Sequence, residues 1–300
     1  ALVHKEKGII DKFSKPTEAS AGRKHVIERM LAMITETAEL SADKPKGVGI
    51  GMPGMISMDR KTVRNPPNLP GWDTVQIAEE IENGAGFKCW IENDANLAAL
   101  GSSRFGVGRQ FDSFIMLTLG TGVGGGIIFN KKLFRGSTGS AAELGHVIID
   151  YDGPLSNSVA QGGIEAYLGQ RFLSRYAADL IRQNTQNPLY DKFQNNFEEL
   201  EPVHLYKAAE EDNKLAIKIL KSAGRKLGYA IANYVYTLDI RKIVVSGGVA
   251  KAGDYILKPA YETAKNRLME SFHDGFEIIY ESLCNDAAML GAATLAFEEL

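Results

Sequence analysis

The run Ser113-Phe114-Ile115-Met116-Leu117-Thr118-Leu119-Gly120-Thr121-Gly122-Val123-Gly124-Gly125-Gly126-Ile127-Ile128-Phe129-Asn130 is an apolar strand that opens into glycine and then turns apolar again. Five of the seven residues from Gly120 to Gly126 are glycine. Such a string permits positive φ and lets backbone N–H groups converge on phosphate oxygens, with the Thr121 hydroxyl as a further donor; it also serves a tight hairpin. Taken alone it leaves both readings open. No Gly-Lys-Ser/Thr follows, so it is not a Walker loop.

Outward from this run, glycine punctuation and a changing hydrophobic period read as alternating strands and helices, the pattern of α/β architecture with mainly parallel sheets. Upstream, strands are expected at Gly8–Lys15, Lys46–Gly51 and Phe87–Ile91, with helices at Arg23–Leu40 and from an Asp73 cap to Asn83. Downstream, helices are expected at Ile164–Gln183, Val203–Glu211 and Leu215–Leu238, then the strand Lys242–Ser246, another helix ending near Phe272, and a closing helix Ala287–Leu300. A second glycine turn, Ser246-Gly247-Gly248, joins strand to helix, where an anion or nucleotide site or an ordinary corner both fit. Two lobes are expected: a smaller one from 1–109 plus 286–300, and a larger one from 110–285.

Composition narrows the class. The chain has 300 residues, 44% apolar and 24% charged, which is globular usage and enough for a sizeable core. No apolar stretch approaches the roughly 18 residues that a bilayer requires. Basic and acidic residues number 34 and 37, a net charge of -3 with no basic block, which argues against nucleic acid as a partner. Cys89 and Cys284 lie far apart, outside any CxxC spacing, and favour a reducing cytoplasm. The start Ala1-Leu2-Val3 reads like the middle of a strand, not a leader.

Chemistry-bearing residues gather at three places. Asp94 lies where the Phe87–Ile91 strand ends in Glu92-Asn93-Asp94-Ala95-Asn96; a carboxylate there accepts a hydroxyl proton or caps the following helix, and the two roles are compatible. Glu143-Leu144-Gly145-His146 and Gly162-Gly163-Ile164-Glu165 bring carboxylates and an imidazole, groups that hold sugar hydroxyls or serve as a solvated face and a loop histidine. The proline-rich loop around Asn68 forbids regular pairing.

Together, the Glu92–Asn96, Gly120–Gly126 and Glu143–His146 segments resemble the ROK family of repressors and sugar kinases in the actin-like ATPase superfamily, across nearly the whole chain. The resemblance implies a two-lobed ribonuclease H-like α/β fold with a cleft, and phosphorylation of a glucose-like or N-acetylhexosamine hydroxyl, usually O6. It implies Asp94 as catalytic base, and Asn68, Asn93, Glu143, His146 and Glu165 on the sugar. It places Gly122, Gly124, Gly125 and Gly126 near the phosphates of ATP, which would bind with Mg²⁺; Gly120, Thr121, Gly247 and Gly248 are further candidate nucleotide contacts read from the two glycine turns. A homodimer is implied too; a non-catalytic sugar sensor is the alternative. Zinc-binding members carry cysteines where this chain has Ser156, Ser158 and Gly163, so no zinc is expected. The family's N-terminal Asp-x-Gly-Gly-Thr phosphate loop is also missing, which points to a shortened chain.

Overall fold

The computed structural model describes residues 1–41, 44–157 and 161–300, and the chain divides into two compact units. The first comprises Ala1–Asp112, Gly126–Ala142 and Asn285–Leu300; the second comprises Ser113–Gly125 and Glu143–Cys284.

In the first unit the strands Gly47–Met52 and Lys88–Asn93 pair in parallel, from Gly47 opposite Lys88 to Met52 opposite Asn93. Ile77, Ile81, Cys89 and Ile91 have no exposed surface and pack with Val48, Ile50, Val26 and Ile27 between this pair and the helices Arg23–Glu39 and Ile77–Ala85. The second of those helices starts later than the sequence suggests. Thr74–Val75 is a strand paired antiparallel with Val63–Arg64, because Val75 and Val63 share a buried face, and the helix begins after Gln76 with no side-chain cap. Asp73 is therefore not its cap. The first hairpin pairs Leu2–His4 with Gly8–Asp11, so the strand from Gly8 stops short of Lys15.

Directly after Asn93 the chain enters the helix Asp94–Phe105, which lies against the helix Asn285–Glu299. Small residues bring these backbones together. A Cβ at Gly101 would stand 1.9 Å from the Ala287 carbonyl oxygen, and one at Gly291 would stand 1.8 Å from that of Leu97. A Cβ on Gly49 would likewise sit 1.8 Å from the Ala292 oxygen. These contacts are with backbone, which cannot swing aside as a side chain would.

In the second unit Lys242–Ser246 runs parallel to Phe114–Leu119 on one side and Glu277–Tyr280 on the other. Phe114, Ile115, Met116 and Leu117 are wholly buried, as are Ile243, Val244 and Val245, the continuous apolar signature of strands covered on both faces. The helix Lys214–Leu238, capped by the Asn213 side chain accepting from the Leu215 and Ala216 amides, packs on Asp254–Arg267. The expected helix Ile164–Gln183 is two, Glu165–Leu168 and Gln170–Arg182, broken at Gly169, where a Cβ would meet the Glu165 and Thr121 oxygens at 3.0 and 3.1 Å.

The glycine-rich run divides in an unexpected way. Strand Val123–Phe129 begins three residues after Gly120, so Gly124, Gly125 and Gly126 lie within the strand and the turn itself is Gly120–Gly122. That strand carries the chain into the first unit, where Ile128 and Phe129 pair with Leu133 and Lys132. Among the described residues no helix is long and apolar enough to cross a membrane.

Gly101→Ala and Gly291→Ala should each lower stability by at least the ~1–3 kcal/mol of an overpacked core. Urea unfolding should show this as a lower midpoint at unchanged m-value.

Candidate functional site

The first group of site residues forms where a buried strand hands over to a helix. Asn93 closes strand Lys88–Asn93 and is the N-cap of the next helix, its side-chain oxygen accepting from the Ala95 and Asn96 amides. Asp94 occupies the first helical position, and its Oδ1 accepts from the Ala95 amide at 2.9 Å. Asn93 thus takes the capping duty that the sequence alone offered to Asp94. The Asp94 residue is exposed, yet desolvation by surrounding protein pushes its carboxyl above the ordinary carboxylate range, against the opposing pull of the Ala95 amide and its own. An acid of this kind is a stronger base than a free aspartate and still reachable from solvent. Asn68, in the same unit, is exposed and holds a left-handed backbone at φ 65°, a conformation asparagine tolerates.

The second group lies at the carboxyl ends of the parallel strands in the second unit. The pairing runs to Ser246 opposite Thr118, so the turns Gly120–Gly122 and Gly247–Gly248 leave adjacent strands side by side. Ligands of open α/β sheets bind at such strand ends. The glycines here have different physical reasons. Gly247, at φ 101°, lies so close to Leu119 that a Cβ would be 2.3 Å from its oxygen. A Cβ at Gly125 would strike Leu144 at 2.6 Å, and one at Gly126 would come within 2.7 Å of the Ala99 Cβ, so close packing accounts for both without a ligand. Around Gly120 and Gly248 a Cβ would meet open space. At these two glycines and the exposed Thr121 the backbone of the strand ends is uncrowded. Two amides at this corner are already engaged: Gly120 donates to the Gly122 carbonyl at 3.0 Å, and Val123, at the strand start, donates to Glu165 Oε2 at 3.1 Å.

Glu165 is therefore a brace as well as a candidate sugar ligand. Its carboxylate is nearly buried and fills the space beside Gly122, where a Cβ would be 2.2 Å from Oε2. Nearby in sequence, Glu143 is exposed and its Oε2 stands 3.6 Å from His146 Nε2. His146 Nδ1 is buried with no hydrogen-bond partner among the described residues. The segment between them is fixed by Tyr234, whose hydroxyl donates to the Leu144 carbonyl at 2.7 Å, and by Gly145, where a Cβ would be 1.9 Å from the Val123 oxygen. Burial pushes the Tyr234 hydroxyl pKa up. Of the three positions that carry cysteine in zinc-binding members, Ser156 and Gly163 bring no thiolate and Ser158 lies outside the described residues. No group of three or more His, Cys, Asp or Glu is placed to hold a metal among the described residues.

Sequence reasoning passed over Glu92 and Arg135. Glu92 has no exposed surface; its Oε1 accepts from the Asn93 amide at 2.9 Å and from Asn96 Nδ2 at 3.1 Å, and its Oε2 lies 2.6 Å from Arg135 Nε. The available signal was the acidic residue inside the strand Lys88-Cys89-Trp90-Ile91-Glu92-Asn93, which demands a partner.

Comparison with known proteins agrees with the motifs. The model of the ROK family matches residues 1–299. The chain belongs to the ROK family. It is 32% identical to a glucokinase of Thermotoga maritima over 299 residues, covering all of this chain and 93% of that protein. It is 27% identical to a xylose repressor of Caldicellulosiruptor bescii, covering 91% of this chain and 69% of the repressor. The crystal structure of a ROK family glucokinase from Streptomyces griseus in complex with glucose and AMPPNP superposes with a TM-score of 0.84 at 31% identity, over 99% of this chain and 94% of that one. The α/β, two-lobed actin-like ATPase fold expected from the sequence is the fold of this ROK chain.

The raised carboxyl has a thermodynamic signature. A folded-state pKa above the unfolded ~3.9 stabilises the fold fully below that value and loses the contribution as pH rises through the folded one. Asp94→Asn should therefore melt at or above the wild-type temperature at pH 7, and the difference should shrink or reverse below pH ~4 in calorimetric scans across that window.

Proposed function

We propose that this chain transfers the terminal phosphoryl group of ATP to a hexose hydroxyl, O6 of a glucose-like or N-acetylhexosamine sugar, with Asp94 as base. The observation that carries the reading is the solvent-reachable but desolvated carboxyl at the Asn93-capped helix start, in a ROK chain similar over its full length to glucokinases. In this reading the ionised Asp94 accepts the O6 proton as O6 bonds to the γ-phosphorus, and the bond from that phosphorus to the β–γ bridging oxygen breaks to release ADP. The transition state for such a transfer is loose, so positioning and charge stabilisation dominate.

Each remaining residue has a bounded share. Asn93 spends its side-chain oxygen on the helix, so its Nδ2 is the end assigned to the sugar. Glu165 spends Oε2 on Val123, leaving Oε1 for a hydroxyl, and Glu143, His146 and Asn68 complete the sugar set. Gly120, Thr121 and Gly248 are assigned to the phosphates, and Mg²⁺ bound with the nucleotide would supply charge neutralisation there. The working form in this reading is a cytoplasmic homodimer. A sugar-responsive regulator without turnover is the second reading, favoured by the similarity to the xylose repressor.

Glucose-dependent ADP release separates the two. Turnover is expected, with an acid limb of kcat/KM above the ~3.9 of an ordinary aspartate, and Asp94→Asn should lower kcat by about 10²–10⁴-fold. Glucose binding by calorimetry with no ADP formed would establish the regulator; undiminished turnover in Asp94→Asn would remove the base assignment.

A further inference from the structure

The buried carboxylate of Glu92 takes no part in the proposed proton transfer, yet it contacts the residues on both sides of the base. Its Oε1 accepts from the backbone amide of Asn93, immediately before Asp94, and from the side chain of Asn96, two residues after it. Asn96 is almost wholly buried, so its amide plane is fixed by packing as well as by this bond. Oε2 forms an ion pair with Arg135 Nε at 2.6 Å, out of line for a hydrogen bond, with Arg60 Nε farther off at 3.7 Å. Arg135 is in turn anchored, Nη1 donating to the Met58 carbonyl at 2.8 Å and Nη2 to that of Ser57 at 2.9 Å. Arg60 is tied outward to Glu299 at 2.6 Å.

A plain stability role does not explain this arrangement well. Buried ion pairs contribute little net stability against apolar residues of similar size, because desolvation offsets the attraction. What the Glu92 carboxylate does supply is an acceptor aimed at the start of one helix. We infer that Glu92 is a positioning residue whose Oε1 holds Asp94 in its reactive orientation through the Asn93 amide and the Asn96 side chain. The inference rests on the reading of Asp94 as base.

Two double variants isolate the acceptor from the charge. Glu92→Gln/Arg135→Met keeps an oxygen for the Asn93 and Asn96 donors; Glu92→Met/Arg135→Met removes it. Both lose the buried charge pair and the Arg135 bonds to Ser57 and Met58 equally, so those losses cancel in the comparison. With glucose and ATP, the Gln double should keep most of the wild-type kcat, and the Met double should lose about a hundredfold, the scale of an ångström of misplacement. The KM for ATP should be similar in the two, and their melting temperatures should match within a few degrees. Equal kcat in the two doubles would overturn the inference. If the Met double does not fold, Glu92→Asp withdraws the carboxylate by one methylene while keeping its charge, and a fall in kcat without a change in the KM for ATP is the supporting result; an unchanged kcat overturns it. Asp94→Asn in the same assay keeps the failures apart: an active Asp94→Asn removes the base reading and the inference with it, whereas an inactive one with equal doubles removes the inference alone.

Discussion

A carboxylate with no exposed surface has to find its compensating charge and donors inside the protein, and Glu92 finds them on separated parts of the chain. Arg135 comes from the segment 126–142, Arg60 from the loop after Met55–Ile56, and the two amides from the Asn93–Asn96 corner. Removing one partner of such a cluster leaves an uncompensated buried charge, which is far more costly than removing the whole. The cluster therefore fixes where segment 126–142 attaches within the first unit. The same bonds fix the corner that presents Asp94, so architecture and proposed chemistry share one set of contacts.

Glycine plays a second, quieter part. In the first unit it lets helix backbones touch at Gly101 and Gly291; in the second it lets strand ends and turns nest at Gly145, Gly169 and Gly247. Close packing of this kind leaves little freedom for the loops that follow, whereas Gly120 and Gly248, like Gly253 in the same unit, have open space where a Cβ would be. In the proposed reading, a site that receives a polyanion would use both: walls that do not yield and a mouth without side chains.

Much of this was legible in the sequence. The buried strands declared themselves by unbroken apolar runs, as at Ile243–Val245, and the long helices by their period, as at Leu215–Leu238. Asp94 was placed at a strand end because Phe87–Ile91 is apolar apart from Lys88 and Ala95–Leu100 favours helix. The failures have physical causes. Glycines in a strand and glycines in a turn look identical as letters, so the start of the strand at Val123 and the packing of Gly125 on Leu144 and of Gly126 on Ala99 were not legible. Asp73 resembles a cap until the pairing of Val75 with Val63 claims the next residues for a sheet. The meeting of Glu92 with Arg135 depends on tertiary geometry, and no local pattern marks which arginine will answer a buried acid.

The intimate seating of Asn285–Glu299 on Asp94–Phe105 also constrains how the protein is made. About 180 residues separate the two helices, and the entire second unit lies between them. At roughly 5–20 residues per second, translation leaves a wait of about 9–36 s between them. During that interval the face bearing Gly101 and the Leu97 carbonyl has no cover, so the nascent chain carries an unfinished first unit while its inserted unit is free to fold. Chaperone capture in that interval should therefore centre on the glycine-bearing side of the earlier helix.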